Sequence, residues 1–117
     1  MADIKRIEPG ARMSQCVVYN GIATTAGQVA QRAPGASVAE QTKDILAKID
    51  ELLAEAGTSK SNAISAYIWL ADIGDFAEMN EVWDAWVAAG STPARACVEA
   101  KLASPKFTVE IQVIAAV

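Results

Sequence analysis

A chain of 117 residues makes one domain around one core and leaves no room for a separate regulatory module. Its 10 Lys and Arg against 14 Asp and Glu give a net charge of −4, and the bases are dispersed, which disfavours a nucleic-acid surface built from clustered cations. With no histidine, Ser-His and Cys-His nucleophile systems and His-ligated metal sites are excluded. Proton transfer is left to a carboxylate, a thiol, an amine, a tyrosine or water.

No apolar run reaches the roughly eighteen residues of a membrane span, and Met1-Ala2-Asp3-Ile4-Lys5-Arg6 lacks the apolar stretch of a secretory leader. The reading is a cytoplasmic chain without a membrane partner. Residues 4–7 suit a first short strand. Residues 16–19 and 22–26 flank Asn20-Gly21, the signature of a hairpin closed by a type I′ turn, in which both central residues must accept positive φ.

After loop-like residues 31–35, Ser37 followed by Glu40 makes a capping-box pattern that opens a helix over about 38–56. Val38, Ile45, Leu46, Ile49, Leu52 and Leu53 recur at helical spacing, and Gly57 suits the position just past the end. Residues 62–71 alternate as a strand, with Ile64, Ala66, Ile68 and Leu70 on one face and Ser65, Tyr67 and Trp69 on the other. Asp75 with Glu78 repeats the capping-box pattern. Phe76, Met79, Trp83 and Trp86 then form the buried stripe of a second helix that ends near Gly90.

Residues 94–102 and 107–116 complete the set as strands. In the first, period-two alternation puts Ala96, Val98, Ala100 and Leu102 on one face and Arg95, Cys97, Glu99 and Lys101 on the other. The order β-β-β-α-β-α-β-β predicts an α+β fold, a single mixed sheet of about six strands with both helices on one face. The strands at 62–71 and 107–116 are apolar on both faces, so the uncovered side of the sheet is expected to be buried against another copy.

Cys16 and Cys97 lie in strand-like segments without ligand spacing for zinc, and are expected to be reduced, buried thiols. Arg95 is the outstanding charge, because an arginine among alanines and valines is costly to bury unless something negative pairs with it. It is either part of a solvated edge with an Arg95–Glu99 or Glu99–Lys101 pair, or a ligand for a carboxylate, which its planar fork suits. Glu110 sits in a strand otherwise fit for burial. It is either ion-paired or kept for proton handling, with desolvation raising its pKa into a useful range. Cys97 has no histidine to generate a thiolate, so it reads as a residue lining the site and not as a nucleophile. Asn80, on the flank of the second helix's stripe, either orients the strand backbone or faces a cleft. Gly27-Gln28 either offers backbone N–H groups to a ligand or serves turn geometry alone.

Ser14-Gln15, Gly27-Gln28, Phe76 with Met79-Asn80, Pro93-Ala94-Arg95 with Cys97-Val98-Glu99, and Val109-Glu110-Ile111 run in register from about Ser14 to Ala116. In these elements the chain resembles the RidA/YjgF family of small enamine/imine deaminases, also called the L-PSP endoribonuclease family. The resemblance implies a homotrimer whose sheets form a closed barrel with clefts between subunits, and a cofactor-free hydrolysis of 2-imino or 2-enamino acids to 2-keto acids and ammonia. It further implies that Arg95 holds the substrate carboxylate, that the backbone at Cys97 bonds the substrate, and that Glu110 positions or activates water.

Many deaminating members have a tyrosine at the position of Met13 and a serine at that of Ala26. Both departures remove a hydroxyl from the cleft, which favours bulkier or more apolar acids, or weaker activity. A non-catalytic module holding a small carboxylate and an endoribonuclease are the competing readings.

Overall fold

The computed structural model describes residues 2–117. Six strands, β1 (Lys5–Pro9), β2 (Ser14–Tyr19), β3 (Ile22–Thr25), β4 (Ala63–Leu70), β5 (Ala94–Glu99) and β6 (Val109–Ala116), form one sheet in the order β1-β2-β3-β6-β4-β5. All neighbours are antiparallel except β4 and β5. The two helices are α1 (Val38–Glu55) and α2 (Phe76–Trp86). This is the mixed α+β sheet expected from the element order. Among the described residues no helix is long and apolar enough to cross a membrane.

Local chemistry accounts for the elements. Asn20 and Gly21 take φ of 53° and 80°, as a type I′ turn requires. Ser37 Oγ accepts from the Glu40 N–H at the start of α1, while the Glu40 carboxylate turns outward to Lys43, so half of the expected capping box forms. At the other end Thr58 N–H donates to Leu53 O and Gly57 N–H to Ala54 O. Those two bonds close the helix as a Schellman motif, with Gly57 at φ 85°.

One face of the sheet is covered. Ile45, Leu46, Ile49 and Leu53 of α1, with Met79 and Trp83 of α2, pack on Ala66, Ile68, Leu70, Val109, Ile111 and Val113. A second cluster joins Ile7, Cys16 and Ala23 to Leu52 and Ala56. Gln41, fully buried, staples α1 to the approach of β6: its amide donates to Ala36 O and Lys106 O and its carbonyl accepts from Thr108 N–H. The opposite face carries Tyr19, Tyr67 and Val98, all exposed, and the stacked Tyr67–Trp69 pair. The chain itself leaves this face bare.

Several sequence expectations need correction. β1 begins and ends later than 4–7. Ile64 does not join the buried face. The β4–β6 register shifts between Ala63 and Ser65, and that bulge turns Ile64 outward, 47% exposed. The Asp75–Glu78 box does not form. Asp72 Oδ1 accepts from Gly74 N–H to cap the 3₁₀ turn η2 (Ile73–Asp75), and the Glu78 carboxylate accepts from Ala39 N–H at the head of α1. Phe76 stands outside the buried stripe, and α2 ends at Trp86 because Val87 is extended. β5 ends at Glu99, so Lys101 and Leu102 belong to a loop. Neither an Arg95–Glu99 nor a Glu99–Lys101 pair is present: Glu99 Oε1 accepts from Ile73 N–H at 3.0 Å instead.

Candidate functional site

The pairing registers decide where each candidate side chain points. Arg95 lies opposite Ala66 and Cys97 opposite Ile68, and both partners belong to the helix-covered core. Arg95 and Cys97 therefore face α2, half-buried, while Ala96 and Val98 face the bare side. Glu110 lies opposite Trp69, in the alternate set of β6 to the buried Val109 and Ile111. Arg95 and Glu110 thus stand on opposite faces of one sheet. The sequence-predicted residues sort into two groups.

The first group gathers where β5 meets α2. Arg95 Nη1 donates to Asn80 Oδ1 at 2.8 Å, and the guanidinium carbon lies 5.3 Å from the Trp83 ring centroid and 5.7 Å from that of Phe76. Cation–π contacts of this kind hold a guanidinium without neutralising it. Among the described residues no carboxylate lies within ion-pairing distance of Arg95. An amide partner and two rings fix the fork and leave its charge available. Asn80 therefore holds the arginine, a third role beside the two left open by the sequence.

Cys97 sits one step along the same face. Burial pushes its thiol pKa up, with the Arg95 charge pulling the other way, so the thiol stays protonated near neutral pH and is a poor nucleophile. Both cysteines are free. The backbone at Cys97 is more useful. β5 is an edge strand, and Ala100 N–H donates to Leu70 O on β4. By alternation the N–H groups of Arg95, Cys97 and Glu99 point to the open edge, free for another acceptor.

The second group gathers where β3 gives way to the 26–29 segment. Gln28 bridges to Ile111, and its side-chain amide donates to Gln15 Oε1 at 2.9 Å and to Ala26 O at 3.1 Å. Gly27 needs its missing side chain: a Cβ there would overlap the Glu110 carboxylate. Gly27, Gln28, Glu110, Met13 and Phe107 line a cleft of about 940 Å³. Ala26 is half-buried beside Gly27. The cleft continues to Arg32, which pairs with Asp44 at 3.3 Å and Glu51 at 2.8 Å, and to Lys48, paired with Glu8 at 2.9 Å. These ion pairs leave no periodic trace in the sequence, because they join the 31–35 loop and β1 to α1 through tertiary packing.

The two groups differ in chemistry. The first offers an anion clamp and a free backbone donor, the second a carboxylate beside an open glycine. Among the described residues no cluster of three His, Cys, Asp or Glu side chains is placed to hold a metal.

Comparison with known proteins agrees with this architecture. The profile of the family described as Endoribonuclease L-PSP matches residues 3–117. A RutC family protein of Haemophilus influenzae is 49% identical over 112 residues, covering 96% of this chain and 97% of the relative. The RutC family protein YoaB of Escherichia coli is 45% identical over 114 residues, covering 97% and 98%. The crystal structure of a YjgF family member from Neisseria meningitidis superposes with a TM-score of 0.94 at 52% identity, covering 97% of this chain and 94% of that one.

Proposed function

This chain belongs to the Endoribonuclease L-PSP family of RutC and YjgF proteins, and from that membership we propose that it hydrolyses reactive 2-imino and 2-enamino acids to 2-keto acids and ammonia. The observation that carries the reading is the uncompensated Arg95 guanidinium, held by Asn80, Phe76 and Trp83 with no carboxylate beside it. A small acid is the ligand such a fork lacks.

One chain holds Arg95 and Glu110 on opposite sheet faces, so the working cleft is formed between copies, the clamp from one and the carboxylate from its neighbour. The bare apolar face, with Tyr67, Trp69 and Val98, is the surface that brings them together, in the trimeric arrangement that the family resemblance implies.

In that cleft the chain needs no cofactor, because imine hydrolysis moves only water and protons. An enamine first takes a proton at C3 and becomes the imine. Arg95 binds the carboxylate, and the free N–H at Cys97 bonds the substrate at its C2–nitrogen end. Glu110 accepts a proton from water as its oxygen attacks C2 and the C=N π bond shifts onto nitrogen. The proton passes to that nitrogen and gives the carbinolamine; its hydroxyl proton then moves through Glu110 to the amino nitrogen as the C=O bond forms, the C–N bond breaks, ammonia leaves and the keto acid remains. Orientation supplies most of the acceleration for so labile a substrate, with proton transfer adding to it.

The test generates imines in place with an amino-acid oxidase and follows keto-acid release with and without this protein. Acceleration that disappears in Arg95→Ala supports the reading. No acceleration for any of several amino acids, with saturable binding of a keto acid, means a non-catalytic carboxylate-binding module. RNA cleavage that Arg95→Ala abolishes means the ribonuclease reading that the family's name carries, against which the net charge of −4 already weighs.

A further inference from the structure

Building on that reading, we infer that Phe76 and Ile73 form the seat of the substrate's side chain and select branched and aromatic imino acids over the smallest ones. Both are large apolar residues left 41% and 46% exposed, although they adjoin a helix that buries Met79 and Trp83. Leaving such side chains in water forgoes the stabilisation that their burial would give. Their exposure at this place, beside an unneutralised cation, matches a ligand that is anionic at one end and apolar at the other.

The wall is held rigidly. Ile73 N–H donates to Glu99 Oε1 at 3.0 Å, which ties the turn over the C-terminal end of β5. Asp72 Oδ1 accepts from Gly74 N–H at 2.8 Å and fixes the entry to α2, and the Phe76 ring lies against the Arg95 guanidinium. Arg95 and Cys97 point from β5 toward the same side. A carboxylate on Arg95 and an imine at the Cys97 edge fix two substituents of C2. The third is left for the apolar surface beside them, with Phe76 against the guanidinium and Ile73 tied by its backbone to Glu99, two residues beyond Cys97. The complementary half adds apolar surface of its own, since Met13, 52% exposed, and Phe107 stand among the mostly polar residues of the Glu110 cleft.

The test measures binding of pyruvate and of the leucine-derived keto acid by tryptophan fluorescence, alongside imine hydrolysis for alanine and leucine. The intact chain is expected to favour the leucine-derived ligand about tenfold in both assays, the scale of a few apolar groups in a pocket. Phe76→Ala and Ile73→Ser each pull that ratio toward one, while Phe76→Leu, which keeps an apolar seat, retains most of it. A ratio near one in the intact chain, a ratio unchanged in both truncations, or no keto-acid binding at all overturns the inference. If no imine is hydrolysed faster but the binding ratio appears and collapses in the variants, the deaminase reading falls and the seat stands.

Discussion

The two faces of the sheet are built from the same six strands yet solve different problems. The helix-covered face is complete within one chain: Ile45, Ile49, Leu53, Ile68 and Ile111 are fully enclosed, and Gln41 has every polar atom bonded. The bare face presents Tyr19, Tyr67 and Val98 to solvent and turns the Glu110 carboxylate toward Gly27. The closed face supplies folding stability, and it also holds Arg95 where β5 meets α2. The open face carries Glu110. A site needing both is split by the sheet that carries it.

The largest contrast expected is in stability. Ile68→Ala, on the closed face, should cost about 2–5 kcal/mol, as for other fully buried aliphatic truncations, read as the denaturant midpoint. Val98→Ala, on the bare face, should cost an isolated chain roughly 0.5 kcal/mol or less but weaken self-association, read by sedimentation. Equal losses in the two variants would erase the distinction.

Arg95→Ala should lower kcat/KM for imine hydrolysis by about 2–3 kcal/mol, the worth of charge-assisted hydrogen bonds, with little change in melting temperature. Arg95→Lys should recover only part, because an ammonium cannot reproduce the fork. Gly27→Ala sharpens the other half. The new Cβ displaces the Glu110 carboxylate, so activity should fall on the order of tenfold to a hundredfold, within the range for a misplaced acid–base group, while the rest of the fold stays as it is. A Gly27→Ala variant with full activity would remove Glu110 from the chemistry.

Asn80→Ala is a smaller change. It frees the Arg95 fork and should raise KM by about 0.5–1.5 kcal/mol, the net worth of one hydrogen bond, with kcat less affected. The smallest effect is on pH dependence. Burial raises both thiol pKa values in the folded chain, so the unfolded chain loses its thiol protons first as pH rises. The stabilisation is therefore complete below the ordinary thiol value of about 8.5 and declines above it. Cys16→Ala should flatten that alkaline decline in a denaturant titration against pH.

The fold was legible because its signals are local. Asn20-Gly21, Ser37 with Gly57, and the spacing of Ile45, Ile49 and Leu53 each fix an element through its own backbone requirements. The misplacements lie where tertiary contacts override a local pattern. Glu78 has the spacing of a capping box but bonds Ala39 on the other helix. Phe76 fits the stripe but, at the first residue of α2, it sets its ring against the Arg95 guanidinium and stays exposed. Ile64 keeps the alternation in sequence, yet a bulge changes its face.

For the site, period-two alternation grouped Arg95 with Cys97 correctly. It gave no sign that their face is the one under α2, since a strand pattern is symmetric until the helices choose a side. The Asn80–Arg95 bond joins residues 15 apart, and the part played by Ile73 rests on a backbone bond to Glu99. Neither leaves a periodic trace.

The most direct measurement mixes two inactive variants. Arg95→Ala and Glu110→Gln, unfolded together and refolded as one pool, should regain about a quarter of the wild-type imine hydrolysis, the share of sites that receive an intact Arg95 from one copy and an intact Glu110 from another. A mixture as inactive as each variant refolded alone would contradict a centre assembled from opposite faces of neighbouring sheets.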